Sequence, residues 1–306
     1  MIDVSIIIVN YNTKELTRNC LNSIFSQTEN ISFEVIVSDN GSSDGSIEMI
    51  KSEFPQVILI ENNENLGFGA ANNRGLKIAK GKYIFFLNSD TISLNNAVKI
   101  FFDFWETSTE KDKIGALGCY LQKDGMTVHS FSSYPKFKNI FYTLFRDYIS
   151  SVLGGLKAII KKKKNFSNQS RCTETKKIDG YITGADLFVL NSSELHYDES
   201  FFMYFEESDL QFNLFFKNGL SAYILPEPEI IHFEGASDSS KNNKSIKYDF
   251  RKKSSIFYWI SCIKYLRKNS QNVFLLFLLK IFVVFIWISP GNIKYTSPYI
   301  REFCKL

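Results

Sequence analysis

The chain has 306 residues, 44% of them hydrophobic and 15% aromatic, and a formal net charge of +4 at pH 7. This aromatic content excludes a disordered polypeptide, because disordered chains lack the apolar side chains needed to form a core. The small net charge gives no indication of nucleic-acid binding. Five widely spaced cysteines without a CxxC pair argue against a disulfide framework or a zinc knuckle.

The first ninety residues alternate short apolar runs with segments of helical periodicity. Strands are predicted at residues 4–9, 33–38, 57–60 and 83–87. A first helix is predicted to follow Asn12, which forms a capping-box pattern with Glu15, and further helices to cover residues 47–54 and 70–80. Four strands alternating with helices predict an α/β fold with a doubly wound, mostly parallel sheet.

Beyond about residue 110 the alternation becomes irregular. Further strands are predicted at residues 114–121, 182–190, 221–225 and 229–232, and a helix at residues 209–217. Residues 130–176 have no clear pattern and include four consecutive lysines at 161–164. From Lys247 the sequence is typical of helices, and residues 273–288 are apolar except for Lys280.

Polar segments follow three of the predicted strands, and parallel sheets bind ligands at the carboxyl ends of their strands. The carboxylate of Asp39 can accept a hydrogen bond from a pyrimidine imide or a ribose hydroxyl, but its glycine-rich neighbours are equally typical of a turn. Residues 65–75 bring small residues to a helix start, which suits either a phosphate or tight helix packing. Residues 88–90 (Asn-Ser-Asp) can hold a divalent metal and ribose, or form an N-cap.

Two later features carry ionisable groups. Glu206, Glu207 and Asp209 follow the aromatic run at residues 201–205. A partly buried carboxylate there would have a raised pKa suited to a general base, whereas a solvated helix start would also favour acidic residues. His232 ends an apolar strand, so it is either a structural residue or a nitrogen ligand that completes a shell of oxygen ligands around a metal.

These segments, in this order, resemble the family 2 glycosyltransferases of the GT-A fold, and most closely their rhamnosyltransferase-like branch. The resemblance extends over roughly residues 1–240. The motifs that carry it are VSIIIVNYN (4–12), VSDNGSSDGS (37–46), NLGFGAANNRG (65–75), NSDT (88–91), TGA (183–185), FFMYFEESDL (201–210) and IIHFEGAS (230–237). The organisation implied is a catalytic domain over residues 1–240 and a helical, membrane-associated region over residues 241–306.

The resemblance also implies a binding site for a nucleotide sugar. Asp39 would bind the pyrimidine base. Further donor-binding residues would be Val9, Tyr11, Asp44, Arg74, Asn88, Ser89, Gly184 and Ala185. Asp90 would be a ligand of Mn²⁺ or Mg²⁺ within a variant Asp-x-Asp motif that begins with Asn88, and His232 would be a second ligand.

The catalytic roles implied by the resemblance fall on the acidic cluster. Glu207 stands where the family carries its general base, with Glu206 and Asp209 as further candidates. The implied reaction is an inverting transfer from a dTDP- or UDP-linked sugar, with rhamnose as one candidate. The implied acceptor is a hydroxyl of a glycan or lipid-linked molecule in cell-surface polysaccharide synthesis.

The sequence also predicts the cellular location of the protein. Met1–Val4 has no basic n-region, so no secretory signal is expected. The lysines at 161–164 and the apolar residues 273–288 predict peripheral attachment to the inner face of the cell membrane, with a buried core helix and a solvated loop as the alternative.

A sugar nucleotidyltransferase and a catalytically degenerate nucleotide-sugar-binding protein remain alternative functions. The first of these would usually carry a glycine-rich loop with a basic residue after the first strand, unlike residues 10–13 (Asn-Tyr-Asn-Thr).

Overall fold

A computed structural model of the protein describes residues 1–123, 126–142, 173–233, 253–269, 273–288 and 292–306. The chain divides into two compact units, one formed by residues 1–134 and 170–242 and the other by residues 135–169 and 243–306. The lysine block at 161–164 and the predicted domain boundary at 240/241 lie outside the described residues.

Within the described residues, the first unit contains thirteen strands, five α-helices and two short 3₁₀ turns. Its strands are β1 (Val4–Asn10), β2 (Phe33–Asp39), β3 (Ile58–Glu61), β4 (Tyr83–Leu87), β5 (Thr91–Ser93), β6 (Ile114–Lys123), β7 (Met126–His129), β8 (Phe131–Ser132), β9 (Lys176–Ile178), β10 (Tyr181–Ile182), β11 (Asp186–Leu190), β12 (Ser221–Leu225) and β13 (Ile230–His232). Its α-helices are α1 (Lys14–Gln27), α2 (Ser46–Glu53), α3 (Phe68–Leu76), α4 (Ala97–Thr107) and α6 (Glu206–Leu214), with short 3₁₀ turns at Lys111–Lys113 and Phe216–Asn218.

The main sheet has the strand order β3-β2-β1-β4-β11-β6-β12-β9. The first four strands are parallel, as the sequence predicts, but β11 runs antiparallel to both β4 and β6. Because β6 and β12 run in the same direction as β4, six of the eight strands are parallel, and the mostly parallel sheet contains two reversed strands, β11 and β9. The single strand predicted at residues 182–190 is in fact two strands, β10 and β11, separated by the segment Thr183–Ala185.

Apolar side chains fill both faces of this sheet. Ile6 and Ile8 of β1 belong to one core cluster with residues of α1, α2 and α4, whereas Ile7 belongs to a second cluster with Leu210 of α6. This alternation follows from the two-residue repeat of a strand, which sends successive side chains to opposite faces. Helices on both faces explain why these strands are apolar throughout, and they confirm the doubly wound arrangement.

The start of α1 differs from the prediction. Asn12 is in the left-handed region with φ of 53°, and the N-cap residue Thr13 makes no side-chain capping bond, so no capping box forms. Instead the backbone N–H of Lys14 donates to Oδ2 of Asp44 at 2.8 Å. The acceptor comes from the loop after β2, thirty residues away, which local sequence patterns do not reveal.

The second unit is helical in its described parts. Its elements are α5 (described residues 137–142), α7 (Lys253–Asn269), α8 (Val273–Trp287) and α9 (Ile293–Lys305). The ring of Trp287 lies 4.6 Å from that of Phe303, and Oγ1 of Thr296 donates to the carbonyl of Trp287, so α8 and α9 pack directly. No helix in the described ranges combines the length and apolar character needed to cross a membrane.

Candidate active site

A pocket of about 540 Å³ lies where β1 and β4 end and β11 begins. It collects residues from all seven of the quoted motifs. The predicted residues that line it are Val9, Tyr11, Asn88, Ser89, Asp90, Gly184, Ala185, Glu206, Glu207 and His232. These positions lie up to 223 residues apart in sequence. The fold therefore concentrates most of the predicted site in one place, at the strand ends where such sheets bind ligands.

Other lining residues were not singled out from the sequence. They are Thr13, Asn40, Asn65, Gly67, Phe68, Leu121, Thr183, Met203 and Tyr204. All except Leu121 adjoin or belong to a quoted motif, so position within the motif was the available signal. Leu121 comes from the interior of β6, and its place in the pocket depends on strand pairing alone.

Asp39 lies at the end of β2 and is completely buried. Its Oδ2 accepts a hydrogen bond from Nδ2 of Asn10 at 2.5 Å, and its Oδ1 accepts one from the backbone N–H of Ser42 at 2.8 Å. Asn10 and Asp39 are paired in the β1–β2 register, which explains their contact. Asp39 is not among the residues that line the pocket, whereas the adjacent Asn40 is. Each carboxylate oxygen of Asp39 retains a further acceptor position, so its role in binding the base stays a prediction.

Asp44 joins the starts of two helices. It accepts from the backbone N–H of Lys14 in α1 and from the N–H and hydroxyl of Ser46 in α2. Partial burial raises its pKa, but these hydrogen bonds outweigh that effect and leave the pKa below its usual value. Asp44 does not line the pocket. Its contacts support the geometry of the loop after β2.

Asp90 and His232 form a close pair at one wall of the pocket. Oδ1 of Asp90 lies 3.1 Å from Nε2 of His232, and Nδ2 of Asn88 lies 3.4 Å from the same nitrogen. The pairing of β5 with β13 sets His232 opposite Thr91, and the N–H of Phe233 donates to the carbonyl of Asp90 at 2.9 Å. Strand register therefore holds these side chains together across 142 residues of sequence.

Asp90 and His232 have the chemistry of metal ligands, but two side chains supply only part of the ligand shell of a divalent metal. A carboxylate oxygen and an imidazole nitrogen that face the same pocket are ligands that Mn²⁺ accepts. Within the described ranges, no group of three or more histidine, cysteine, aspartate or glutamate side chains is placed to hold a metal ion. A metal bound by Asp90 and His232 would therefore take its remaining ligands from a bound substrate and from water.

The acidic cluster lies on a tight backbone path. Tyr204 and Phe205 both have positive φ, 71° and 69°, and α6 begins at the next residue. The preceding carbonyl of Phe202 accepts a hydrogen bond from the N–H of Phe68 at 3.1 Å. Non-glycine residues with positive φ are uncommon, and they concentrate where surrounding structure holds a functional segment in place. Here the contact with the start of α3 fixes where α6 presents its first residues.

Glu206 and Glu207 both line the pocket but differ in exposure. Glu206 is 4% exposed, and its Oε2 has no hydrogen-bond partner among the described residues, whereas Glu207 is half-buried. Burial raises the pKa of both carboxyls, and the neighbouring Glu207 adds to the effect on Glu206. Asp209 is buried away from the pocket, and its Oδ1 accepts a hydrogen bond from Asn213 at 2.9 Å. The solvated helix start considered from the sequence therefore does not describe Glu206.

A buried carboxyl that sequence reasoning missed lies beside the site. Asp186 is fully buried at the start of β11, opposite Leu87 at the end of β4. Its Oδ2 accepts a hydrogen bond from the N–H of Cys119 at 2.7 Å, and burial raises its pKa to about 7. In the sequence, the feature that could have identified Asp186 is its position as a single acidic residue within the apolar run of residues 182–190.

Arg74 is not brought into the pocket. It is exposed in the last turn of α3 and lines a separate depression with Lys77, His196 and Glu199. Phe68 and Gly67, at the opposite end of the same helix, are the residues that reach the pocket. A contact between Arg74 and a diphosphate in the pocket is therefore not supported by this geometry.

Comparison with known proteins identifies the family. The model of the family "Glycosyl transferase family 2" matches residues 5–165, which is more than half of the chain. The chain belongs to glycosyl transferase family 2. This match overlaps four of the seven quoted motifs, three of them completely, and confirms that part of the resemblance at the family level.

Two relatives of this family 2 chain have named activities. A UDP-Glc:α-D-GlcNAc-diphosphoundecaprenol β-1,3-glucosyltransferase of Escherichia coli is 38% identical over 135 residues, 44% of this chain and 52% of the relative. A poly(ribitol-phosphate) β-glucosyltransferase of Bacillus spizizenii is 34% identical over 119 residues, 37% of this chain and 19% of the relative. The aligned part thus spans about half of the first relative and about a fifth of the second.

Solved structures agree on the GT-A-like fold. A TarS structure from S. aureus has a TM-score of 0.51 at 14% identity, covering 95% of this chain and 45% of that one. A mannosyltransferase from Pyrobaculum calidifontis, solved with GDP-Man and Mn²⁺, has a TM-score of 0.50 at 14% identity, covering 97% and 74%. At this level of identity the likeness concerns the fold alone.

Proposed function

We propose that this protein transfers a sugar from a nucleoside-diphosphate sugar to an acceptor hydroxyl, with inversion at the anomeric carbon. The observation that carries the proposal is the convergence of two chemically different walls in one pocket. Asp90 and His232 form one wall, and Glu206 and Glu207 are carboxyls with raised pKa in the same cavity. A transferase of this kind needs both, because one wall must stabilise a leaving diphosphate and the other must accept a proton.

In the proposed reaction Glu207 accepts the proton of the acceptor hydroxyl while the oxygen of that hydroxyl attacks the anomeric carbon and the bond from this carbon to the nucleoside diphosphate breaks. Its half-buried position leaves it reachable, and its raised pKa makes it a stronger base than an exposed glutamate. Glu206, more deeply buried, would be protonated over a wider pH range and would supply shape and hydrogen bonding. One displacement step inverts the configuration of the sugar.

Asp90 and His232 would hold a divalent metal, Mn²⁺ or Mg²⁺, whose positive charge stabilises the departing nucleoside diphosphate. Asn88, which replaces a carboxylate of the family motif, would leave the free site with one negative charge fewer. The donor's own phosphate oxygens would therefore contribute to the ligand shell. Val9, Tyr11 and the buried Asp39 would form the side of the site that binds the base.

The donor we propose is a UDP- or dTDP-linked hexose. The Escherichia coli relative is named as a UDP-glucose enzyme, and the motif resemblance to the rhamnosyltransferase-like branch adds rhamnose to the sugars to be tested. Both named relatives act on a lipid-diphosphate or a polymer. We therefore propose a glycan or lipid-linked acceptor in cell-surface polysaccharide synthesis, at the inner face of the cell membrane.

The first experiment is a thermal-shift panel of nucleotide sugars, each with Mn²⁺, Mg²⁺ or chelator, because a ligand that binds only the native state raises its stability. The donor that stabilises best is then incubated with acceptors, and the anomeric configuration of the product is determined by NMR. Inverted product supports the proposal. Binding of donor with no transfer to any acceptor and no donor hydrolysis would favour a degenerate binding protein.

A further inference from the structure

Helix α8 presents two opposite apolar faces. One face is buried within the second unit by Leu279, Val283, Ile286 and Trp287. The opposite face is formed by exposed hydrophobic residues at positions 274, 277, 278, 281 and 285, which have the i, i+3, i+4, i+7 and i+11 spacing of one helix face. Ile288, directly after the helix, is also exposed. Soluble proteins rarely expose a contiguous stripe of large apolar residues on a helix.

The exposure of this stripe is high for such side chains. Phe274 is 69% exposed, Phe277 58%, Ile281 51% and Phe285 55%. The helix has one charged residue, Lys280, whose Nζ lies within hydrogen-bonding distance of the carbonyl of Cys304, at 3.3 Å. Because Lys280 is directed to α9, no charge interrupts the exposed stripe.

Electrical charge is divided unequally between the two units. Residues 135–169 and 243–306 contain 20 Lys and Arg against 3 Asp and Glu, a net charge of +17. The rest of the chain contains 16 against 29, a net charge of −13. The near-neutral total therefore conceals a strongly basic unit, and this unit is the one that carries the apolar stripe.

We propose that the exposed face of α8 docks in the plane of an anionic lipid bilayer, with the exposed lysines and arginines of the described helices of the second unit bound to the lipid headgroups. An apolar stripe combined with a large positive charge is complementary to such a surface, which offers acyl chains beneath negative headgroups. At 15 residues α8 is about 22 Å long, shorter than the roughly 30 Å hydrocarbon core, so an in-plane position suits it better than a spanning one.

This inference extends the proposed function by identifying the surface that would bring the enzyme to a lipid-linked acceptor, and it rests on that proposal only for the acceptor. Docking by itself requires no turnover. Each of the two ideas can therefore fail while the other holds.

The test uses the full chain in sedimentation with vesicles of phosphatidylcholine alone or mixed with phosphatidylglycerol. The variant Phe277→Ser/Ile281→Ser removes apolar area from the stripe without changing charge. The matched control, Leu94→Ser/Leu190→Ser, removes exposed side chains of the first unit that are 40% and 44% accessible. Donor binding and thermal unfolding are measured for every protein, to confirm that each variant is folded.

We expect wild type to bind the phosphatidylglycerol vesicles at least tenfold more tightly than phosphatidylcholine, with weaker binding in high salt. The α8 variant should lose tenfold or more in vesicle affinity while the control keeps it, because burying two exposed apolar side chains in the bilayer contributes at least this much. Equal binding of the α8 variant and wild type, or no preference for anionic lipid, would overturn the proposal. The proposal would also be overturned if the protein did not bind vesicles and instead formed a concentration-dependent dimer that the α8 variant abolishes. Normal vesicle docking in a protein without transferase activity would instead contradict the proposed function.

Discussion

At the scale of single residues, Glu206 and Glu207 are adjacent in sequence but differ in burial. Glu207→Gln retains the size and hydrogen-bonding capacity of the side chain but cannot accept a proton. Turnover is expected to fall by about 10²-fold or more, while donor affinity changes little, because the predicted donor contacts lie at Asp39, Asp90 and His232. Steady-state kinetics and donor titration measure the two effects separately.

Glu206→Gln and Asp209→Asn are the matched controls for this substitution. Asp209 is bonded to Asn213 and does not line the pocket, so its variant should retain turnover within a few-fold. If Glu206→Gln removes turnover and Glu207→Gln does not, the base is Glu206. If none of the three variants affects turnover, the acidic cluster takes no part in the reaction.

The metal-binding wall makes a separate prediction. Asp90→Ala removes the carboxylate that faces His232 at 3.1 Å, leaving one nitrogen ligand. Donor binding is expected to lose its dependence on Mn²⁺ or Mg²⁺ and to weaken about tenfold or more in their presence. Isothermal titration with and without chelator measures this, and Asp39→Ala serves as comparison because it should weaken binding under both conditions. Wild-type donor binding that ignores chelator would contradict the assignment.

The pH dependence of turnover follows from the raised pKa of Glu207. A carboxyl with a raised pKa keeps its proton to higher pH, and a protonated base is inactive. Turnover should therefore decline as pH falls through a value above the ordinary 4.5 of a glutamate. A profile of kcat/KM against pH locates this acidic limb. A limb at or below 4.5 would indicate a well-solvated base and contradict the buried arrangement.

At the scale of elements, the start of α3 lies in close contact with the loop that precedes α6. Gly67 has φ of 87°, and a Cβ there would lie 2.2 Å from the carbonyl oxygen of Phe202. Gly67→Ala should therefore destabilise the protein by more than the roughly 1–2 kcal/mol that an alanine in the left-handed helical region costs, since Gly67, with ψ of 175°, lies in a region open essentially to glycine alone and the loop must also move. Urea unfolding gives the free energy, and donor affinity should fall because both segments line the pocket.

Gly219→Ala is the matched control for the close contact. Gly219 has φ of 74°, but no atom lies within 4 Å of a Cβ placed there. Gly219 also has ψ of 10°, so this variant carries the strain of the left-handed helical region without the collision, and it should lose about 1 kcal/mol and leave donor affinity unchanged. Equal losses of stability in the two variants would show that the approach of Phe202 to α3 is not tight.

At the scale of the whole molecule, stability should depend on the ionisation of Asp186. Its pKa is raised from 3.8 to about 7, so the folded state binds this proton more tightly than the unfolded state. The resulting stabilisation is complete below about pH 4 and is lost as pH rises through 7. The difference corresponds to about 4 kcal/mol.

Asp186→Asn removes this dependence because an amide stays neutral. The variant should resemble wild type in stability near pH 4 and exceed it at pH 8, by up to the same few kcal/mol. Denaturant unfolding at both pH values measures the difference. A constant difference between the two proteins at pH 4 and pH 8 would mean that Asp186 is ionised in the folded protein throughout this range.

Much of this protein is determined locally by its sequence. The strands β1, β2 and β4 were predicted to within one residue, because apolar runs bounded by polar strand ends need no distant information. The same local pattern singled out residues 88–90 and the acidic residues at 206–209, because polar residues that follow strands or aromatic runs stand out from their neighbours, and the pocket contains Asp90, Glu206 and Glu207. The order of the motifs then indicated the family.

The tertiary structure alone decided features that depend on distant partners. The antiparallel entry of β11 buries Asp186 beside the pocket, and Glu206 is buried next to Gly69 of α3, a residue far from it in sequence. Arg74 belongs to a predicted motif, but the direction of α3 turns it away from the pocket. The division into units likewise separates a basic part from an acidic one within a chain of nearly neutral composition. Burial and electrostatic environment arise from neighbours in space, and these neighbours are brought together only by the pairing of strands and the packing of helices.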